Sequence, residues 1–191
     1  PMPAPAARWK STRAMARVCR LVAIAALVLA ALLLWNMDRV NPTGPSPALI
    51  GKKAPPLPAT VLAGKPGLTD PMLRQPGLKL VNFWASWCPP CRAEHATLTT
   101  LSKQLPVYGV DLKDSPADAA AFLDRYGDPF RAIAADPAGR AALDWGVTGP
   151  PQTFIIDGKG TVLFRFAGPL LREDYTNRFL PELEKARQAA N

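Results

Sequence analysis

Histidine is almost missing from this chain of 191 residues: there is one, beside three cysteines. A single histidine leaves no His-based metal cage, and three cysteines are too few to staple a small disulfide scaffold. Neither a metal nor another cofactor is therefore expected. No internal repeat is visible, and no basic cluster is interleaved with aromatics as a nucleic-acid surface would require. Charged residues make up only 20%, but the chain is 48% hydrophobic with apolar segments spread along it, which excludes wholesale disorder. The length suits one ordinary domain plus an appendage.

The net charge of +8 is unevenly placed. Residues 1–39 hold Arg8, Lys10, Arg13, Arg17, Arg20 and Arg39 against Asp38 alone, a net of +5. The remaining 152 residues carry 17 bases and 14 acids, a net of only +3. The excess thus belongs to the leading segment, and no nucleic-acid partner is expected.

Leu21 to Trp35 is an unbroken apolar run of fifteen residues. As a helix it covers roughly 22 Å, short of the hydrocarbon core of about 30 Å. Val18, Cys19, Asn36 and Met37, with Arg20 snorkelling, bring it near a spanning length. A cleaved signal peptide also has a basic start and an apolar middle, but no small-x-small site closely follows the run. The reading adopted is an uncleaved single-pass anchor over residues 18–37, with a cytoplasmic basic tail over 1–17. Everything beyond would be exported, to the periplasmic side of a bacterial inner membrane. Cys19, at the edge of the span, is assigned no function. The Pro- and Gly-rich stretch that follows carries no hydrophobic period; residues 38–49 are read as a tether and 50–191 as the folded domain.

Within that domain Leu78–Ala85 is apolar and rich in Val, Phe and Trp, as suits a buried strand. A helix follows, with Leu98, Leu101 and Leu105 at helical spacing. Val107–Asp111 is a second strand. Ser115-Pro116 opens a helix over Pro116–Tyr126 that Gly127 ends. Phe130–Ala134 is expected to be extended and Arg140–Trp145 helical. Thr153–Ile156 and Thr161–Phe166 flank Asp157-Gly158-Lys159-Gly160, a hairpin signal. Arg172–Gln188 closes the chain as an amphipathic helix, kinked or broken at Pro181. This order implies an α/β fold with a mixed central β-sheet flanked by helices.

The chemistry lies at Cys88-Pro89-Pro90-Cys91. Two intervening residues at a helix start bring the thiols within disulfide reach. The first sulfur would sit over the helix amino terminus, where free N–H groups and the positive dipole end favour thiolate. Only a thiolate attacks a disulfide, so Cys88, open to solvent, would attack and Cys91 would resolve. A zinc site lacks ligands, since only His95 joins the pair locally, and a c-type haem site fails because Arg92 follows the second cysteine. A permanent structural disulfide competes, although so short a loop staples little chain.

Phe83-Trp84-Ala85-Ser86-Trp87-Cys88-Pro89-Pro90-Cys91 resembles the active-site strand and helix of thioredoxin-like proteins. Extended through Arg92-Ala93-Glu94-His95, it is similar to the membrane-anchored DsbE/CcmG branch, thiol–disulfide oxidoreductases of cytochrome c maturation. Gly146–Asp157 (GVTGPPQTFIID) agrees, and the resemblance spans roughly residues 50–185. It implies a thioredoxin-like fold behind an N-terminal transmembrane helix. By that match Pro151 is a cis-proline opposite the cysteine pair, and Pro150 and Pro151 meet the substrate backbone. Glu94 becomes an acidic residue of the active-site region that can take the Cys91 proton. Trp87 would border the reactive sulfur with a flat apolar ring. Trp84 is expected in the core and His95 at the surface or in packing. The substrate implied is apocytochrome c or a maturation partner, and the electron donor a membrane thiol transporter of the DsbD/CcdA type. A general exported oxidoreductase, similar to the TlpA or ResA groups, and a non-catalytic chaperone or binding module remain as alternatives. One departure stands out: Gln152 falls where this family commonly has Glu, which should soften an acidic substrate groove.

Overall fold

The structure, a computed structural model, describes residues 8–39, 49–58 and 60–190. It divides into two units, residues 1–42 and 43–191. Among the described residues the first holds one helix, α1 (Arg8–Arg39). The expected span at 18–37 therefore lies within one helix, but among the described residues no helix is both long and apolar enough to cross a membrane. The expected tether falls almost wholly outside the described residues.

The second unit runs α2 (Asp70–Leu73), β1 (Lys79–Trp84), α3 (Pro89–Ser102), β2 (Val107–Leu112), α4 (Pro116–Tyr126), β3 (Ile133–Asp136), α5 (Arg140–Asp144), β4 (Gln152–Ile156), β5 (Val162–Ala167) and α6 (Leu180–Ala190). Its five strands lie in the order β3-β2-β1-β4-β5. The first three are parallel, β4 is antiparallel to β1, and β5 is antiparallel to β4. This is the mixed sheet expected, and it has the thioredoxin-like arrangement.

β1 and β2 are buried along their whole length because both faces are covered. Side chains alternate between two cores. Leu80 and Trp84 join Leu98 and Leu101 of α3, Phe122 and Leu123 of α4, and Phe179 and Leu183. Val81 and Phe83 face the other way, with Tyr108, Val110, Trp145, Phe154 and Ile156. Trp84, expected in the core, stacks on Phe130 with ring centroids 5.3 Å apart. Gly109 makes this possible, since a Cβ there would lie 2.8 Å from the Trp84 indole nitrogen and 2.9 Å from Phe130.

Several boundaries follow from local chemistry. Ser115 caps α4 by accepting from Asp118 N at 3.1 Å, and Gly127 ends it with φ of +92°. In the hairpin, Asp157 Oδ1 accepts from Lys159 N and Thr161 N, which closes the turn. Two expectations are corrected. The extended piece placed at 130–134 is a strand over Ile133–Asp136, set by its register with β2. The closing helix is not simply kinked at Pro181: a π-helical stretch, Asp174–Phe179, runs into α6, whose second residue is Pro181. Proline has no N–H for the preceding turn, so the wider hydrogen-bonded ring fits ahead of it.

Candidate active site

At the carboxyl end of β1 the chain turns through Ala85, Ser86 and Trp87 into α3, with Cys88 as its N-cap residue. Cys88 and Cys91 form a disulfide with an S–S distance of 2.03 Å and Cα atoms 5.3 Å apart. The Cys88 sulfur faces the helix end, accepting from Cys91 N at 3.2 Å. The expected group of free amides is reduced to this one donor, because Pro89 and Pro90 occupy the first two helical positions and have no N–H. The expectation of an open sulfur is also not met: in the disulfide form Cys88 and Cys91 each retain 2% of their surface. Both pack in the same core as Trp84, Ala85 and Leu98.

The loop before α3 is held from one side by the residues after β2. Asp114 accepts from Ser86 N and, at 2.8 Å, from Ser86 Oγ. Trp87 is 54% exposed, yet its indole N–H donates to the Lys113 carbonyl at 3.0 Å. Lys113 holds that carbonyl in place with a left-handed φ of +50°, a conformation rare for residues other than glycine. Asp111, buried at the end of β2, is pushed up to about 8 by burial and then by the neighbouring Asp114 carboxylate.

Glu94, one turn beyond Cys91, is wholly buried. Its Oε1 accepts from Asn82 Nδ2 at 2.9 Å and its Oε2 from Leu170 N at 2.7 Å. Burial pushes its carboxyl up to about 7, against the pull of those two donors. Asn82 projects from β1 on the same face as Leu80 and Trp84, and its second N–H reaches Thr153 Oγ1 on β4 at 3.0 Å. His95 is buried, with Nε2 2.7 Å from the Gly127 carbonyl and its ring against Phe122, so its role is packing.

The Pro150–Pro151 peptide bond is cis. Phe83 pairs with Gln152, so this bend lies at the same end of the sheet as the disulfide. Gln152 corrects the idea of a softened groove. It is 3% exposed and points inward, where Oε1 accepts from Arg165 Nε at 2.9 Å and Nε2 donates to the Gly149 carbonyl at 3.0 Å. Arg165, itself 6% exposed, also donates to the Gly146 carbonyl at 2.7 Å.

The structure thus gathers Cys88, Cys91, Glu94, Trp87, Pro150 and Pro151 at one end of the sheet. Sequence reasoning missed Asn82, Asp111, Asp114, Thr153, Arg165 and Leu170. Asn82 and Asp111 were visible as polar residues within apolar strand runs; Leu170 contributes only a backbone amide, which no side-chain pattern reveals.

A thioredoxin-like sheet with a CxxC disulfide at a helix start and a cis-proline alongside defines the class of thiol–disulfide oxidoreductases. Residues 50–179 match the Redoxin family. A thiol:disulfide interchange protein DsbE homolog of Paracoccus denitrificans is 67% identical over 152 residues, which are 80% of this chain and 85% of that protein. The thiol:disulfide interchange protein HelX of Rhodobacter capsulatus is 43% identical over 150 residues, 78% and 85% of the two chains. A solved structure of a putative DsbE from Chlorobium tepidum matches with a TM-score of 0.58 at 26% identity, covering 71% of this chain and 97% of that one. The chain belongs to the Redoxin family and, within it, to the DsbE-type thiol:disulfide interchange proteins.

Proposed function

We propose that this oxidoreductase is a reductase anchored through residues 18–37 in the bacterial inner membrane, with its folded domain on the periplasmic side. It reduces a disulfide of apocytochrome c or of a cytochrome c maturation protein, and is itself reduced by a membrane thiol transporter of the DsbD/CcdA type. The anchor rests on the basic residues that precede the apolar run. The substrate rests on the DsbE/CcmG resemblance.

The Cys88 thiolate attacks one sulfur of the substrate disulfide; a Cys88–substrate bond forms and the second substrate sulfur leaves as thiolate. Cys91, after losing its proton, attacks Cys88, restores the internal disulfide and expels the remaining substrate thiolate. The enzyme dithiol is oxidised, the substrate disulfide is reduced, and two protons end on the substrate thiols. Glu94 accepts the Cys91 proton, since a carboxyl titrating near 7 is matched to neutral pH. Trp87 and the Pro150–Pro151 bend border the incoming chain.

The observation that carries this reading is the Cys88 sulfur accepting from the first available amide of α3, one turn from a buried carboxyl. With reduced protein and a disulfide-containing apocytochrome peptide, Cys88→Ser abolishes reduction, whereas Cys91→Ser accumulates the mixed disulfide. Full reduction by the Cys88→Ser protein would overturn the reading. Partners trapped by Cys91→Ser that include no cytochrome maturation component would point to a general exported oxidoreductase instead.

A further inference from the structure

The Cys88 sulfur depends on one neighbour. Pro89 and Pro90 remove two amides from the start of α3, so in the disulfide form the sulfur accepts from Cys91 N, at 3.2 Å. A hydrogen bond weakens steeply with distance and angle, and a lone one has no companion to take over when it slips. Placement of this sulfur therefore matters more than it would above a full set of helix amides. The backbone leading to it is gripped two residues earlier. Ser86 gives both its N–H and its hydroxyl to the Asp114 carboxylate.

Asp114 is itself fixed. Its Oδ1 also accepts from Ser115 N at 2.9 Å, so three donors converge on a carboxylate that offers about four lone-pair directions. The turn that carries it is anchored to β3, because Lys113 N donates to the Asp136 carbonyl at 3.0 Å. The Lys113 carbonyl holds Trp87, and the Lys113 stem lies across Gly139, where a Cβ would collide with its Cε. Asp111 lies buried at the same end of β2, and burial and then the Asp114 carboxylate push it up to about 8. Of these two carboxyls, Asp111 is thus the one that keeps a proton at neutral pH. Arg92 of α3, and Asp118 and Arg125 of α4, border the same cleft as Trp87, while Glu94 is buried on α3. Among the described residues, none of these four bonds to Ser86 or Trp87.

We propose that Asp114 is a positioning residue for thiol–disulfide exchange: through Ser86 its carboxylate fixes the backbone that carries Cys88, and so keeps the sulfur on the amide that stabilises its thiolate. This role rests on the exchange reading above, and it has a sign that a bystander carboxylate lacks. A negative charge near a thiol disfavours the thiolate, so removing a charge alone would make Cys88 ionise more easily. Removing a positioning group does the opposite, because the sulfur slips from its donor.

Reduced full-length protein is alkylated with iodoacetamide from about pH 4 to about pH 10, across the range of activated and ordinary thiols. The rate at Cys88 is read by peptide mass, since Cys19 also carries a free thiol. Asp114→Ala is expected to move the midpoint of the pH profile up by roughly half a pH unit, which slows alkylation about threefold below the midpoint. The plateau at high pH, where every thiol is ionised, stays at the wild-type value. Asp114→Asn keeps one acceptor oxygen and no charge, so it moves the midpoint the same way by a smaller amount. That variant carries the test should Asp114→Ala fail to fold. A midpoint below the wild-type value in either variant, or unmoved in every variant that folds, overturns the proposal and leaves the exchange chemistry standing. A wild-type midpoint at the free-thiol value of about 8.5 overturns the exchange reading and this proposal with it.

Discussion

β1 carries two buried polar side chains, and their surroundings differ. Lys79, its first residue, donates to the carbonyls of Gln75, Gly77 and Asp157, each at 2.8 Å. An ammonium has three protons, so this group is saturated. Asn82, three residues on, spends both amide protons on Glu94 and Thr153 but leaves its Oδ1 without a partner. Nearby, the indole nitrogens of Trp84 and Trp145 and Oδ1 of Asp111 are also buried and unpaired. Polar groups are fully matched at the end of the strand remote from the disulfide and incompletely matched at the end beside it. Unmatched buried groups cost stability, and natural proteins keep them where chemistry needs a particular charge or proton.

Removing a partner at the saturated end should cost the most stability and the least activity. Lys79→Met strips the donor from three carbonyls at once and is expected to lower unfolding free energy by about 4 kcal/mol. Denaturant titration measures the loss, while disulfide-reduction rates of the folded fraction stay at the wild-type value. A rate change larger than the stability change would erase the contrast.

Glu94→Gln probes the other end through pH. A carboxyl raised from 4.5 to about 7 binds its proton more tightly when folded. Its protonated form favours the native state below pH 4.5, and that advantage is lost as pH rises towards 7. The full difference is roughly 3 kcal/mol, from about 1.4 kcal/mol per pKa unit. The stability of Glu94→Gln relative to wild type should therefore improve by about 3 kcal/mol between pH 4 and pH 8. A pH-independent difference would remove the buried ionisable group from the account.

Gln152→Glu places a carboxylate against the buried Arg165. A carboxylate depressed by a neighbouring cation contributes stability above its unfolded pKa and loses it as pH falls. The variant should gain about 1 kcal/mol at pH 7, after losing the bond to Gly149, and give the gain back by pH 3. Trp87→Ala should have the smallest effect on folding, within about 0.5 kcal/mol, because the ring is more than half exposed. Reduction of a peptide disulfide should slow several-fold while reaction with a small disulfide is unchanged; equal slowing of both would mean that the ring serves the sulfur rather than the substrate.

The fold was largely legible because its signals are local. Ser115-Pro116 and Gly127 bracket α4, Asp157-Gly158-Lys159-Gly160 marks the hairpin, and Cys88-Pro89-Pro90-Cys91 marks the start of α3. Residues 57–77 gave no such signal: α2 is one turn long, and Val61 and Gly67 touch β3 only through single bridges. In the site, the residue pattern marked the cysteine pair and the family resemblance pointed to Glu94 and the proline pair, but neither gave their setting. Burial of Glu94 depends on Asn82 and Leu170, twelve and 76 positions away, and no spacing rule connects them. The inward turn of Gln152 likewise depends on Arg165 of the next strand.

The segment that leaves β5 meets both the proline bend and the buried Glu94 within three residues. Gly168 N holds the Pro151 carbonyl and Leu170 N holds Glu94 Oε2, with Pro169 stiffening the link between them. Gain or loss of charge on Glu94 changes the strength of the Leu170 bond. The bond that feels this change lies two residues from the one that holds the Pro151 carbonyl, so the carboxyl and the proline bend are joined by a single short stretch of backbone.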